Sequence, residues 1–231
     1  MKPASDTPVR MPMRTTPFTI KYCGITRLDD VKASFDCGAD AIGINLVTSS
    51  PRFAAPAIAE KLAVQAKEYG KVVVVMVNPT REEVEAVLAS MPVDYVQLHG
   101  EEDPRDFNGL RVPIVKAMPW RGVQDQTVAE QWHSAKGMDL AGFLVDAYDE
   151  KVRGGSGKVA RWDLLQPRPR PLDQIPLILA GGLSPTNLIQ AMHQVLPDGV
   201  DCASGIESSP GIKDRAKMLA FFQAYQQAIA I

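Results

Sequence analysis

The chain has 231 residues, 45% of them hydrophobic, and a formal net charge of −2. No cationic surplus points to nucleic acid or an anionic membrane, and no run approaches the roughly 20 apolar residues that span a bilayer. Its three cysteines, Cys23, Cys37 and Cys202, form no disulfide framework, its three histidines are scattered without metal-ligand spacing, and a reducing cytoplasm is the expected compartment.

Residues 1–16 carry three prolines and no apolar run. They are expected to be a mobile N-terminal extension, not a secretory leader, ahead of one domain over residues 17–231. From there apolar, β-prone runs alternate with helix-period segments. Strands are predicted at 18–23, 41–47, 72–77, 95–98, 114–117, 142–146, 177–180 and 199–203. The third, Val72-Val73-Val74-Val75-Met76-Val77, is apolar on both faces, as a strand covered on both sides must be. Helical stripes are formed by Val84, Val87 and Leu88, by Leu188, Ile189, Met192 and Val195, and by Ala216, Leu219, Phe222 and Ile229. Thr80 with Glu83 reads as a capping box, and Ser184-Pro185 as a cap followed by proline at the first helical position. The fourth and sixth connections are the weakest helices, and Pro167-Arg168-Pro169-Arg170-Pro171 reads as an exposed linker. Eight βα units in one chain of this size predict an α/β fold, a single-domain (β/α)8 TIM barrel. An open doubly wound sheet lacks the Gly-x-Gly-x-x-Gly turn after its first strand.

In such a barrel the residues at the carboxyl ends of the strands share one rim. Cys23 stands there as either a base or nucleophile or a small buried apolar group. Asp146 ends an apolar strand, where partial burial raises a carboxyl toward the range of a general acid. Lys116, at the end of the fifth strand, is a partner for Asp146, a substrate-anion binder or half of a structural ion pair. Asn45, Gln97 and His99 line the rim, His99 in a supporting role, and Arg52 in the Ser50-Pro51-Arg52 loop can grip a carboxylate with two prongs. Gly181-Gly182 and Ser204-Gly205 follow the seventh and eighth strands, where barrels hold phosphate on backbone N–H groups. Gly154-Gly155-Ser156-Gly157-Lys158 lacks P-loop spacing and reads as a lid that adds backbone contacts to the phosphate, with Gly155 among them. Cys37, Cys202 and the Phe221-Phe222 pair are packing groups. Lys21 is expected to point away from Cys23, leaving the thiol without a fixed cationic partner.

Lys21-Tyr22-Cys23-Gly24-Ile25-Thr26, Gly38-Ala39-Asp40-Ala41-Ile42-Gly43, Ser50-Pro51-Arg52, Gln97-Leu98-His99-Gly100, Leu144-Val145-Asp146, Gly154-Gly155-Ser156-Gly157-Lys158, Ala180-Gly181-Gly182-Leu183, Ser204-Gly205-Ile206-Glu207 and Pro210-Gly211-Ile212-Lys213-Asp214 occur in that order over about residues 20–222. By them the chain resembles the phosphoribosylanthranilate isomerase family of tryptophan biosynthesis. The resemblance implies an Amadori rearrangement of N-(5-phospho-β-D-ribosyl)anthranilate to 1-(2-carboxyphenylamino)-1-deoxy-D-ribulose 5-phosphate. It implies Cys23 as general base, Asp146 as general acid, Arg52 at the anthranilate group and the glycine-rich ends of strands seven and eight at the phosphate. It implies no metal or other cofactor, a small phosphorylated substrate as partner, and a monomer or homodimer. The second strand departs from the family, with Ile44-Asn45-Leu46-Val47 where a Phe-rich strand followed by lysine is usual, and Tyr148 to Arg153 is unusually charged. The alternatives are another sugar-phosphate isomerase or epimerase barrel, which would rely on a carboxylate pair or a metal, and a non-catalytic barrel that binds a phosphorylated ligand.

Overall fold

The computed structural model describes residues 16–146 and 162–230, so residues 1–15 of the expected extension and the 154–158 loop with Gly155 lie outside the described residues. Strands β1 (Ile20–Cys23), β2 (Ala41–Asn45), β3 (Lys71–Met76), β4 (Tyr95–Leu98), β5 (Ile114–Pro119), β6 (Leu140–Asp146), β7 (Leu177–Ala180) and β8 (Gly199–Cys202) pair in sequence order, all parallel, and β8 returns to β1. The closed parallel barrel is therefore as expected. Helices α1 (Leu28–Asp36), α2 (Pro56–Ala66), α3 (Arg81–Ser90), α4 (Val123–Ser134), α5 (Leu188–Val195) and α6 (Arg215–Ile229) lie between strands or after the last, and the hairpin β9 (Glu207–Ser209)–β10 (Ile212–Lys213) precedes α6. Among the described residues no helix is long and apolar enough to cross a membrane.

Strand side chains alternate between two packed layers. One set, Ala41, Val73, Val115, Ala117, Leu144, Ile178 and Ala180 with Phe18 beneath them, fills the barrel interior. The other, including Ile20, Tyr22, Ile42, Val72, Val74, Val96, Phe143 and Val200, packs with residues of the surrounding helices. Val72 to Val75 are buried on both faces, while Val77, read as part of that strand, lies beyond it and is exposed. Tyr22 shows what the outer face does. Its ring meets Phe221 edge-on, and its hydroxyl donates to the carbonyls of Cys37 (3.1 Å) and Met218 (2.9 Å), tying β1 to α1 and α6.

Several local expectations need adjustment. The α6 face that packs inward is Met218, Phe221, Ala224, Tyr225 and Ala228, not the stripe through Leu219 and Ile229, which are exposed. Both stripes have helical spacing, and only the docking of α6 against α5 and β1 selects between them. At the start of α5 the side chain of Asn187 accepts from the Ser184 N–H and donates to the Gly182 carbonyl, so residues 184–187 form turns and the helix begins at Leu188 instead of Pro185. The linker at 167–171 is only partly exposed, because Pro171 and Leu172 are buried in a short 3-10 turn, Arg170–Asp173. The weak connections are 3-10 turns at Pro104–Phe107 and Trp162–Leu165. The capping box forms as read: Thr80 Oγ1 accepts from Glu83 N–H (3.2 Å), and Glu83 accepts from Thr80 N–H (2.8 Å).

Candidate active site

The β1–β8 register sets Lys21 beside Asp201, and the β1–β2 register sets Cys23 beside Gly43. Strand alternation has a period of two, so Lys21 and Cys23 share the inward face and Tyr22 points out. The expectation that Lys21 turns away from Cys23 is wrong for that reason. Lys21 is fully buried inside the barrel, with Nζ 2.8 Å from Asp201 Oδ1. The contact is not an aligned hydrogen bond, and neither atom has a hydrogen-bond partner among the described residues. Burial works against the ammonium, but Asp201 and Cys23 outweigh it and hold the group charged beyond its ordinary range.

Cys23 is half-buried, whereas Cys37 and Cys202 are buried in packing positions as expected. Burial pushes its thiol up, Lys21 pulls it down, Asp201 pushes it up and Lys213 pulls it down, and the balance lies above the ordinary thiol range. A Cβ added at Gly43 would stand 2.7 Å from Cys23 Sγ and 3.0 Å from Lys21 Nζ, so thiol and ammonium lie side by side over this glycine. The Gly43 carbonyl accepts from the N–H groups of Gly24 (2.8 Å) and Ile25 (3.0 Å), which fixes the turn after Cys23. Gly24 takes φ +77°, and the stem of Arg52 packs on the side where a Cβ would lie.

Asn45 organises the loop that carries Arg52. It accepts from Val47 N–H (2.8 Å) and donates to Ser50 Oγ (3.2 Å), which accepts from Arg52 N–H (3.1 Å). Two prongs of the guanidinium are occupied by Glu207, Nε at 2.8 Å and Nη2 at 2.6 Å, leaving Nη1 without a partner among the described residues. Glu207 also receives Lys213 Nζ (2.8 Å), whose other contacts are the carbonyls of Cys23 (2.6 Å) and Ala203 (3.3 Å). Burial opposes the Glu207 carboxylate, but Arg52 and Lys213 prevail and hold it below the usual carboxylate range. This cluster stitches the end of β1 to the end of β8.

On the far wall β4 presents Gln97 and His99, whose Nε2 and Nδ1 are 3.2 Å apart, and β6 presents Asp146 on the same inward register as Leu144. Burial holds the His99 imidazole below its ordinary range, with Asp146 and Asp201 pulling upward and Lys21 and Lys116 downward. The ring is thus neutral near pH 7 and senses the carboxylates of both walls. Asp146 therefore shares the barrel interior with a second carboxylate, Asp201. Lys116 does not join it. Lys116 lies on the outer face of β5, 2.7 Å from Glu102 and over the Trp132 ring, so of its three readings the structural ion pair is the one present.

Gly181 and Gly182 follow β7 with φ +87° and +65°, and Ser204 and Gly205 follow β8 in a short 3-10 turn. Among the described residues the N–H groups of Gly182 and Ser204 have no hydrogen-bond partner. The sequence reading missed Asp201, Glu207 and Lys213 as site residues. Asp201 was detectable as a charge at an alternate position of an apolar strand, and Glu207 and Lys213 fall within two of the quoted motifs.

Comparison with known proteins gives a consistent result. Residues 20–224 match the family model described as N-(5′-phosphoribosyl)anthranilate (PRA) isomerase. The N-(5′-phosphoribosyl)anthranilate isomerase of Pseudomonas putida (strain GB-1) is 39% identical over 209 residues, covering 90% of this chain and 97% of that protein. The crystal structure of phosphoribosyl anthranilate isomerase from Thermotoga maritima superposes with a TM-score of 0.80 at 31% identity, covering 90% of this chain and 98% of that one. A phosphoribosyl anthranilate isomerase in complex with reduced 1-(o-carboxyphenylamino)-1-deoxyribulose 5-phosphate superposes with a TM-score of 0.77 at 29% identity, with the same coverage.

Proposed function

The chain belongs to the N-(5′-phosphoribosyl)anthranilate isomerase family, and we propose that Cys23 is the general base and Asp146 the general acid of its reaction. The activity is the Amadori rearrangement of N-(5-phospho-β-D-ribosyl)anthranilate in tryptophan biosynthesis. The observation that carries the assignment is the inward placement of Cys23 on β1 and Asp146 on β6, on opposite walls of one barrel mouth. Asp146 protonates the furanose ring oxygen, the C1′–O bond breaks, and the nitrogen lone pair forms an iminium. The C2′ hydrogen is then acidic, Cys23 takes it, and the C–H electron pair closes the C1′–C2′ double bond and neutralises the nitrogen. The resulting enolamine tautomerises to the ketose. Acid and base positioned in this way each contribute about 10²–10⁴ in rate.

The backbone N–H groups at Gly182, Ser204 and Gly205, with Gly181 shaping the turn, hold the phosphate, an assignment supported by the unpartnered amides at Gly182 and Ser204. Arg52 offers Nη1 to the anthranilate carboxylate while Glu207 fixes its other prongs. Gln97 and His99 line the wall next to the acid. A reducing cytoplasm suits a chain whose Cys23 must remain a free thiol.

The test generates the substrate in situ and follows the loss of its anthranilate fluorescence. Cys23→Ala and Asp146→Asn are each expected to lower kcat by about 10²–10⁴ with the fold retained. Full turnover in either variant removes that residue from its role. Arg52→Ala is expected to raise KM more than it lowers kcat, and an unchanged KM takes Arg52 out of the anthranilate site.

A further inference from the structure

We infer that Lys21, clamped by Asp201, is the positioning residue that allows Cys23 to act as a base, and this rests on the reading of Cys23 given above. The β1–β8 register places ammonium and carboxylate side by side, and the two-residue repeat of β1 puts the thiol one layer nearer the mouth. An ammonium has three N–H donors. Those of Lys21 find one off-axis carboxylate and no aligned partner among the described residues, at a site with no solvent access. Burying a charge with its hydrogen bonds unfilled is costly. What lies beside it is Cys23 Sγ, with only Gly43 between the two and the wall.

Lys213 provides the internal contrast. It is equally buried and also close to Cys23, but its donors go to Glu207 and to the carbonyl oxygens of Cys23 and Ala203. Arg52 is forked to Glu207, and Asp146 and His99 stand across the mouth. Among the described charged groups near Cys23, Lys21 is the fully buried cation with donors to spare, whereas the spare Nη1 of Arg52 belongs to a partly exposed side chain. While the thiol is neutral, Lys21 and Asp201 balance each other. When the half-buried thiol gives its proton to solvent ahead of turnover, the ammonium is shared by carboxylate and thiolate, and the trio carries one net negative charge, matched to the positive iminium. When the proton from C2′ lands on Sγ, its C–H electron pair has quenched the iminium, and both charges vanish together. The device therefore lowers the cost of a thiolate in a buried site without keeping the resting thiol ionised, in accord with a resting thiol held above its ordinary range.

The experiment measures alkylation of the full chain by iodoacetamide between pH 6 and 10, with Cys23 followed by mass spectrometry and buried Cys37 and Cys202 as internal controls. In Lys21→Met the midpoint for Cys23 should move up, slowing alkylation about tenfold at pH 8. The kcat should fall ten- to a hundredfold with KM little changed, and Lys21→Arg should recover part of both. Asp201→Asn should move the midpoint down, because Lys21 is then left to the sulfur alone. Lys21→Met strands a carboxylate, so if it does not fold, Lys21→Met/Asp201→Asn removes both charges and should still lie above wild type. An unmoved midpoint in whichever of these variants folds, or an unmoved or upward midpoint in Asp201→Asn, overturns the inference. Full turnover by Cys23→Ala would instead overturn the base assignment, and the alkylation profile would still report whether Lys21 acts on the thiol.

Discussion

Lys21 and Lys116 are both buried in barrel strands, and each lies within 2.8 Å of a carboxylate. Lys116 faces the helix layer. Its Nζ donates to the Gly100 carbonyl (2.6 Å) and Glu102 (2.7 Å), approaches the Leu98 carbonyl, and sits 5.3 Å from the centre of the Trp132 ring. Glu102 in turn accepts from the N–H groups of Asn78 (2.9 Å) and Gly100 (2.8 Å). Lys21 faces the barrel interior with one imperfect carboxylate contact and a thiol beside it. The difference teaches how to read a buried charge. One whose donors and acceptors are all met fixes the loop after β4, and one with capacity left over beside a titratable group is available to chemistry.

The largest expected effect that sharpens this contrast is on the structural side. Lys116→Met leaves Glu102 buried without its counter-charge and should cost about 3–5 kcal/mol, a fall in Tm of roughly 10 °C, while kcat of the folded enzyme stays near wild type. A thermal melt paired with steady-state kinetics reads both, and a catalytic defect larger than Lys21→Met produces would dissolve the distinction. The next effect falls on the site. In Gly43→Ala the new methyl stands where thiol and ammonium now meet, and should lower kcat by about 10² through misplacement of the base. Its overpacking should cost about 1–3 kcal/mol. Near-normal kcat would mean that Cys23 and Lys21 can part without consequence.

The smallest effect is in acid. Burial pushes Glu102 and Glu207 up, but Lys116, and Arg52 with Lys213, hold the two carboxyls below the ordinary range. A carboxyl whose folded pKa is depressed contributes stability that is present above its unfolded value, about pH 4.3, and is lost as pH falls through the folded value. Tm should therefore drop as pH falls below about 4. Glu102→Gln, already destabilised at pH 7, should show a shallower acid decline than wild type, and parallel Tm profiles would show that Glu102 gives no linkage.

The rim positions of Cys23, Gln97, His99 and Asp146 were legible because a β-prone, mostly apolar run ends at or beside each of them, and Arg52 because it closes the Ser50-Pro51-Arg52 motif. The directions in which Lys21 and Lys116 point were, by contrast, obscured. A strand buried on both sides carries no polar–apolar alternation to tell inside from outside. Lys21 was assigned outward and shares the inward face with Cys23, whereas Lys116 faces outward to Trp132. In α6 the apolar residues cover so much of the circumference that Leu219 and Ile229 read as core while Met218 and Tyr225 fill it.

By itself the sequence determined the eight barrel strands and their order, the capping box at Thr80, the barrel and the family to which the chain belongs. Those follow from local periodicity, turn chemistry and the spacing of short motifs along one chain. The tertiary structure alone decided that Lys21 and Asp201, 180 residues apart in the chain, meet beneath Cys23, that Glu207 fixes Arg52, and that Lys116 is kept out of the barrel mouth. Register and barrel closure bring residues from distant strands to one level, and no local pattern encodes which charges will then be neighbours.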